Sequence, residues 1–161
     1  MAQFLQQLFL PEKGSLQSAV VTEWLQKCFS HQGLFHASLF GQLCRTRTIK
    51  ALPAGRDSPE LKFCHAVTVR EVNKKFQNTS TACDDDNILA VLILAFNGQA
   101  LTERPSKSPC QGPLKVLQAL DIYGGALDTV PMHVEGLAKM VSLRGGIARI
   151  KLSGLAHLIS Q

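Results

Sequence analysis

Three short stretches of the sequence hold residue types that can do acid–base or metal chemistry. His133 and Glu135 match the H-x-E spacing of zinc deaminases, in which the histidine binds the metal and the glutamate moves protons. That chemistry also needs a P-C-x-x-C segment, and the pair Pro109-Cys110 is followed by no second cysteine at the required position. Side chains two positions apart on a helix also diverge. The sequence therefore predicts no metal site and no cofactor.

Cys64 and His65 form the second stretch, because a thiol and an imidazole can act as a nucleophile and its base. Neighbouring residues on a helix point about 100° apart, which favours a hydrogen-bonded histidine in the core over a catalytic pair. His65 and His133 remain as weak candidates for a catalytic role, and the sequence alone leaves open whether the protein is an enzyme.

The third stretch is a run of three carboxylates, Asp84 to Asp86, directly before the most apolar segment of the chain. Clustered carboxylates can bind magnesium or supply a general acid. At the start of a helix, however, their commoner role is to cap the helix and offset its dipole. We expect capping.

The elements that position these residues are predicted to be helices, since apolar residues recur at three- and four-residue steps and no strand pattern is found. The first predicted helix ends near His31. Further helices are predicted from Leu34 to about Leu52, from Pro59 to about Phe76 and from Asn87 to about Gln99. A short helical stripe follows at 114–122, then a helix from Pro131 to Gly145 and one or two short helices after it. The expected fold is all-α: an irregular domain of about six to seven helices, packed antiparallel around a buried central helix at 87–99.

The best-marked helix starts at Ser58-Pro59-Glu60, which combines a capping hydroxyl, a proline at the first position and an acid near the positive end of the dipole. Glu71 and Lys75 are spaced to form an ion pair on its wet face. Its predicted apolar face consists of Leu61, Cys64, His65, Thr68, Val69, Val72 and Phe76.

Length and composition indicate one domain over residues 1–161, with an N-terminal extension at 1–15 and a flexible proline-containing loop at 100–113. The first ten residues lack the charged leader and cleavage site of a signal peptide. The longest apolar run, 88–96, has nine residues, whereas a membrane span needs about 20. We expect a soluble protein of the nucleus or cytoplasm that is not secreted.

The distribution of charge and the spacing of the cysteines argue against direct DNA binding and against a structural zinc site. The net charge is +5, but the basic residues are scattered along the chain, so we do not expect direct DNA binding. The five cysteines lie 16 to 27 residues apart, which excludes the short C-x₂₋₄-C pairs of structural zinc sites and predicts reduced, apolar thiols.

Residues 133–147 resemble the H-x-x-G-L-x-x-M-V-x-x-R-G-G motif of the fungal-specific transcription factor regulatory domain. Residues 33–37, 70–74 and 86–96 look like three further blocks in the family's order, and the match runs from about Trp24 to the C-terminus. The motif positions, to which we assign a structural role, are His133, Gly136, Leu137, Met140, Val141, Arg144, Gly145 and Gly146.

The resemblance implies an all-helical regulatory domain of a fungal transcription factor, a class that often controls metabolic or secondary-metabolite genes. Two departures limit it. The six-cysteine zinc module that reads DNA in such proteins is missing from this sequence, and the chain ends soon after the Arg-Gly-Gly block, as a truncated member would.

The leading hypothesis is a transcription-factor-like regulatory protein that acts through a protein partner or through self-association. The sequence leaves a small-molecule effector open. The alternative is a small helical enzyme or ligand-binding protein of a biosynthetic pathway, and a third hypothesis is a non-functional gene remnant.

Overall fold

The computed structural model describes residues 15–49, 58–98 and 130–160, and the helices in these ranges pack together without a strand. This confirms the predicted all-α fold. The proposed extension at 1–15, apart from Ser15, the loop at 100–113 and the helical stripe at 114–122 lie outside the described ranges. The elements are α1 (Ser15–Ser30), α2 (Gln32–Ile49), α3 (Pro59–Phe76), α4 (Asp85–Asn97), α5 (Pro131–Arg144), a 3₁₀ turn (Ile147–Arg149) and α6 (Leu155–Ile159).

Helix α4 is the buried centre of the fold, as the sequence predicts. Every residue from Asp85 to Ala95 is buried, and α2, α3 and α5 all pack against this helix. Burial of each large aliphatic side chain contributes roughly 1.5 to 3 kcal/mol, so α4 supplies much of the driving force for folding. No helix in the described part of the chain has the length and apolar character needed to cross a membrane.

Helices α2 and α3 approach each other closely at Gly33. A Cβ atom added to Gly33 would lie 2.9 Å from Cβ of Glu71, closer than real Cβ contacts. Glycine is therefore needed there to let the start of α2 meet the end of α3. His31 alone separates α1 from α2, and its carbonyl accepts the hydrogen bond of Phe35 N–H that opens the second helix.

Helix α3 begins and ends at the residues that the sequence predicts. The Ser58 hydroxyl accepts a hydrogen bond from Leu61 N–H at 3.3 Å, which confirms the predicted N-cap. The predicted apolar face is partly wrong, because Phe76 is exposed and Val67 is buried. The periodicity identifies a stripe, but α2 and α4 decide which arc of that stripe they cover.

Trp24 ties α1 to the C-terminal segment. Its side chain is 1% exposed, and its indole N–H donates a hydrogen bond of 2.7 Å to the carbonyl of Ser153, two residues before α6. Leu155, at the start of α6, is fully buried. The two ends of the described fold are thus held together through one large aromatic side chain.

Candidate functional site

The densest group of charges lies around Asp84, Asp85 and Asp86, and we call these three residues the aspartate junction. Asp86, on α4, connects this helix with α3 and with the junction of α1 and α2. Its buried carboxylate accepts a hydrogen bond from the Lys75 ammonium near the end of α3. Its Oδ2 atom also lies 3.6 Å from Nε2 of His31, between α1 and α2. The predicted Glu71–Lys75 pair is wrong, because Lys75 pairs with Asp86 and Glu71 accepts from Arg70 Nε at 3.2 Å.

Asp85 connects the same point to the C-terminal segment. Its Oδ2 atom accepts hydrogen bonds from the backbone N–H groups of Lys151, at 2.7 Å, and Leu152, at 2.9 Å. Its Oδ1 atom lies 3.1 Å from Nη2 of Arg144. That contact is an ion pair rather than an aligned hydrogen bond, since Oδ1 accepts no hydrogen bond. Asp85 therefore satisfies two backbone donors and faces one cation.

The expectation that the aspartates cap α4 needs correction. Asp84 stands at the N-cap position but its side chain makes no capping hydrogen bond; its Oδ1 atom instead lies 3.7 Å from Nη1 of Arg144. Helix α4 also starts at Asp85, two residues earlier than predicted, so Asp85 and Asp86 lie in its first turn. Their carboxylates suit the positive end of the helix dipole. Cross-helix pairing, rather than local capping, occupies their oxygens.

The family-like motif meets the aspartate junction through Arg144. Leu137, Met140 and Val141 are buried against the core and orient α5. Arg144, in the last turn, then reaches Asp84 and Asp85. Arg144 in the last turn suits the negative end of the helix dipole, and it also faces two acidic side chains there.

The two glycines after Arg144 stop α5. Gly145 N–H bonds to the carbonyl of Ser142 at 3.0 Å, and Gly146 N–H bonds to that of Val141 at 2.9 Å. This pair of bonds forms a Schellman motif. Gly145 and Gly146 have φ values of +94° and +92°, which disfavour residues with a Cβ atom. The stop returns the chain toward Asp85, where Lys151 and Leu152 bind.

Glycine-to-alanine substitutions at two motif positions are expected to have opposite signs. Gly145→Ala should lower the free energy of unfolding by about 1 to 2 kcal/mol, because alanine resists a positive φ. Gly136→Ala should raise it by up to about 1 kcal/mol, because Gly136 lies inside α5 and nothing lies within 4 Å of an added Cβ. Urea denaturation of dilute protein measures both. Equal effects of the two changes would contradict the assigned role of Gly145.

The two histidines singled out from the sequence are brought near each other. His65 on α3 packs its ring against Phe40 on α2, with ring centroids 5.2 Å apart. Burial lowers the pKa of His65, and the charge of nearby His133 on α5 lowers it further. Burial also lowers the pKa of His133. Both imidazoles are therefore neutral near pH 7, as a base would be.

The buried ionisable groups predict a stepwise loss of stability in acid. Because the pKa values of His65 and His133 lie below the ordinary 6.5 in the folded chain, their contribution is complete above 6.5 and is lost as pH falls through the folded values. Urea denaturation between about pH 7 and pH 5 should show this slope. A His65→Gln/His133→Gln variant should flatten it. An unchanged slope in the double variant would contradict the assignment.

Asp86 governs the lower part of the acid range. Burial alone would raise its pKa, but the hydrogen bond and charge of Lys75, together with His31, outweigh burial and hold the pKa of this carboxyl below its ordinary 3.8. Its contribution is therefore present above 3.8 and is lost as pH falls through the folded value. Asp86→Asn should reduce the pH dependence of the free energy of unfolding in that lower range, measured by urea denaturation below about pH 4.

The thiols do not favour nucleophilic chemistry. Burial raises the pKa of Cys28 and of Cys64, and it raises the pKa of Cys44 to about 12. The Cys28 thiol contacts the Ser38 hydroxyl at 3.1 Å inside the core. These side chains stay protonated near pH 7 and act as small core residues. Cys110 lies outside the described ranges.

Across residues 15–49, 58–98 and 130–160, no three histidine, cysteine, aspartate or glutamate side chains converge as metal ligands do. A cavity of about 190 Å³ lies where α1, α2, α3 and α4 meet. Its wall includes His31, Gly33, Lys75, Asp86 and Asn87. This space lies next to a charged pair, Lys75 and Asp86, that is already formed.

A separate surface carries a row of aromatic rings across three helices, two of them exposed and two half-buried. Phe29 on α1 lies 6.1 Å from Phe35 on α2, Phe35 lies 5.4 Å from His36, and His36 lies 5.8 Å from Phe63 on α3, all between ring centroids. Phe29 is 73% exposed and Phe63 is 61% exposed. We call these four residues the aromatic row. Exposed aromatic rings of this kind are typical of protein-binding surfaces.

Sequence reasoning missed both the aromatic row and the partners of the aspartates. The row joins residues of three helices whose relative placement no local pattern specifies. A usable signal was present for Phe63, which lies outside the predicted apolar face of its helix, whereas Phe29 continues the apolar spacing of Trp24, Leu25 and Cys28 and is nevertheless 73% exposed.

Comparison with known proteins adds no assignment to this geometry. Neither a protein-family model, nor a curated protein, nor a solved structure matches the chain. The resemblance to the fungal regulatory domain therefore rests on the motif residues alone and stays a prediction.

Proposed function

We propose that the chain is a transcription-factor-like regulatory protein of fungal type that binds another protein through the aromatic row. In this proposal it helps to control a metabolic gene set in the nucleus, without contacting DNA itself. The observation that carries the proposal is the continuous contact of Phe29, Phe35, His36 and Phe63, in which exposed Phe29 and Phe63 flank half-buried Phe35 and His36. Aromatic anchors at the centre of an interface commonly supply most of its binding energy.

The placement of the family-like motif supports the regulatory part of the proposal. The apolar motif residues face the core, and the Arg-Gly-Gly end closes α5 onto the aspartate junction. In this arrangement the motif builds a scaffold and leaves the aromatic row free for a partner. A scaffold with a separate binding surface is what a regulatory domain requires.

Gene replacement tests the proposal in the organism that carries the gene. Deletion should change the transcripts of a defined gene set. A Phe29→Ser/Phe63→Ser variant should give the same transcript changes at normal protein abundance, because both side chains are exposed and the fold should persist. Phe76→Ser is the matched control: Phe76 is also exposed but lies at the other end of α3 from Phe63. Normal transcripts in the double variant would contradict the proposal.

The cavity favours a second candidate, a small ligand-binding protein or enzyme of a biosynthetic pathway. It lies beside Lys75 and Asp86, and neutral His65 and His133 provide a possible base elsewhere in the fold. Under this hypothesis, deletion leaves transcripts unchanged and one pathway intermediate accumulates. Purified protein should then convert that intermediate, and His133→Gln should abolish conversion without unfolding the chain.

A further inference from the structure

The outer face of α5 presents a row of residues that is complementary to itself. Met132, Gly136, Lys139 and Leu143 are spaced by four, three and four residues, which places them on one stripe of the helix. Met132 is 74% exposed and Leu143 is 70% exposed. Lys139 is exposed, and the space above Gly136 is open. Exposed Glu135 flanks the stripe.

Two copies of this stripe place favourable side-chain pairs opposite each other only when the two helices are antiparallel. About a two-fold axis near the middle of α5, Met132 of one copy lies opposite Leu143 of the other, at both ends of the contact. Gly136 lies opposite Lys139, and Glu135 comes beside the second copy's Lys139. A parallel arrangement would instead place lysine against lysine and glutamate against glutamate, which repel.

We infer that this face of α5 forms an antiparallel, two-fold symmetric contact with a second copy of the chain. A two-fold contact uses the same patch on both copies, so each favourable pair occurs twice. Because Gly136 has no Cβ atom, the two helices can approach each other closely near the two-fold axis. The contact is separate from the aromatic row, so the chain can dimerise and still bind a partner.

The size of the stripe sets the expected strength. From Met132 to Leu143 the stripe is about 16 Å long. A single pair of helices of this length buries less than the roughly 800 Å² per partner of a standard stable interface. We therefore expect a reversible dimer with a dissociation constant in the micromolar range or weaker.

Sedimentation equilibrium over a range of protein concentrations tests the contact. Wild-type protein should be a concentration-dependent dimer. M132K and L143E should each raise the dissociation constant about tenfold or more, since each sets a charge against an apolar side chain. The M132K/L143E double variant should associate about fivefold more tightly than either single variant, because the new lysine then faces the new glutamate at both ends.

The controls separate the dimer contact from folding and from the proposed function. A138K changes an exposed residue of α5 outside the stripe and should leave the dissociation constant unchanged. Far-UV circular dichroism should show that every variant is folded. A wild-type chain that stays monomeric throughout, an equal loss in A138K, or a double variant no tighter than the singles would each overturn the inference. None of these results depends on the transcript measurements.

Discussion

Asp85→Ala is expected to lower the free energy of unfolding by about 3 kcal/mol. The substitution removes the acceptor of two backbone N–H groups, those of Lys151 and Leu152, and it leaves Arg144 facing no carboxylate at that position. Unpaired buried donors keep their full desolvation penalty, so the loss exceeds that of an exposed ion pair. Urea denaturation followed by the fluorescence of Trp24, the chain's single tryptophan, measures the change.

The neighbouring aspartate supplies the matched control. Asp84 faces the same Arg144, but at 3.7 Å and with a side chain 35% exposed, so Asp84→Ala should cost less than about 1 kcal/mol. Asp85→Asn should fall between the two, because an amide oxygen still accepts from a backbone N–H group while the charge is lost. If Asp85→Ala and Asp84→Ala had equal effects, the hydrogen bonds to Lys151 and Leu152 would contribute little.

How far the sequence predicts this fold depends on whether the determining contacts are local. Helix α3 begins at Pro59 and ends at Phe76 as expected, because Ser58 and its neighbours act within one turn. The stop of α5 was likewise predictable, since two adjacent glycines suffice for a Schellman motif. In both places the physical cause lies within about four residues of its effect.

The aspartate junction could not be predicted in the same way. Asp85 contacts Arg144, Lys151 and Leu152, which lie 59, 66 and 67 positions further along the chain. No spacing rule links a run of aspartates to an arginine so distant in sequence. The local rule for acids at a helix start favoured capping, and this rule was outweighed by pairing across helices. The residues of the candidate site were thus identifiable from the sequence, but their partners were not.

The proximity of His65 and His133 also could not be predicted from the sequence. Nothing in the sequence connects His65 on α3 with His133 on α5, yet packing around α4 brings them within electrostatic range. The spacing arguments that disfavour a metal site at His133 concern only its own neighbours. Long-range proximity needs the fold, and the fold places His65 against Phe40 as well.

Trp24→Ala is expected to cost about 4 kcal/mol, the largest effect of any single substitution considered. Trp24 is 1% exposed, and its truncation would leave a large cavity and remove the hydrogen bond to the carbonyl of Ser153 that holds the segment before α6. With a total stability of roughly 5 to 15 kcal/mol, that loss is enough to bring the chain close to unfolding.

Trp24→Phe keeps most of the volume and should cost about 1 to 2 kcal/mol. Phe29→Ala, on the same helix but 73% exposed, should change stability by less than about 0.5 kcal/mol. Because the tryptophan itself is replaced, far-UV circular dichroism during urea denaturation is the measurement. Should Trp24→Phe prove as damaging as Trp24→Ala, the hydrogen bond to Ser153 rather than the filled volume would be what joins α1 to the C-terminal segment.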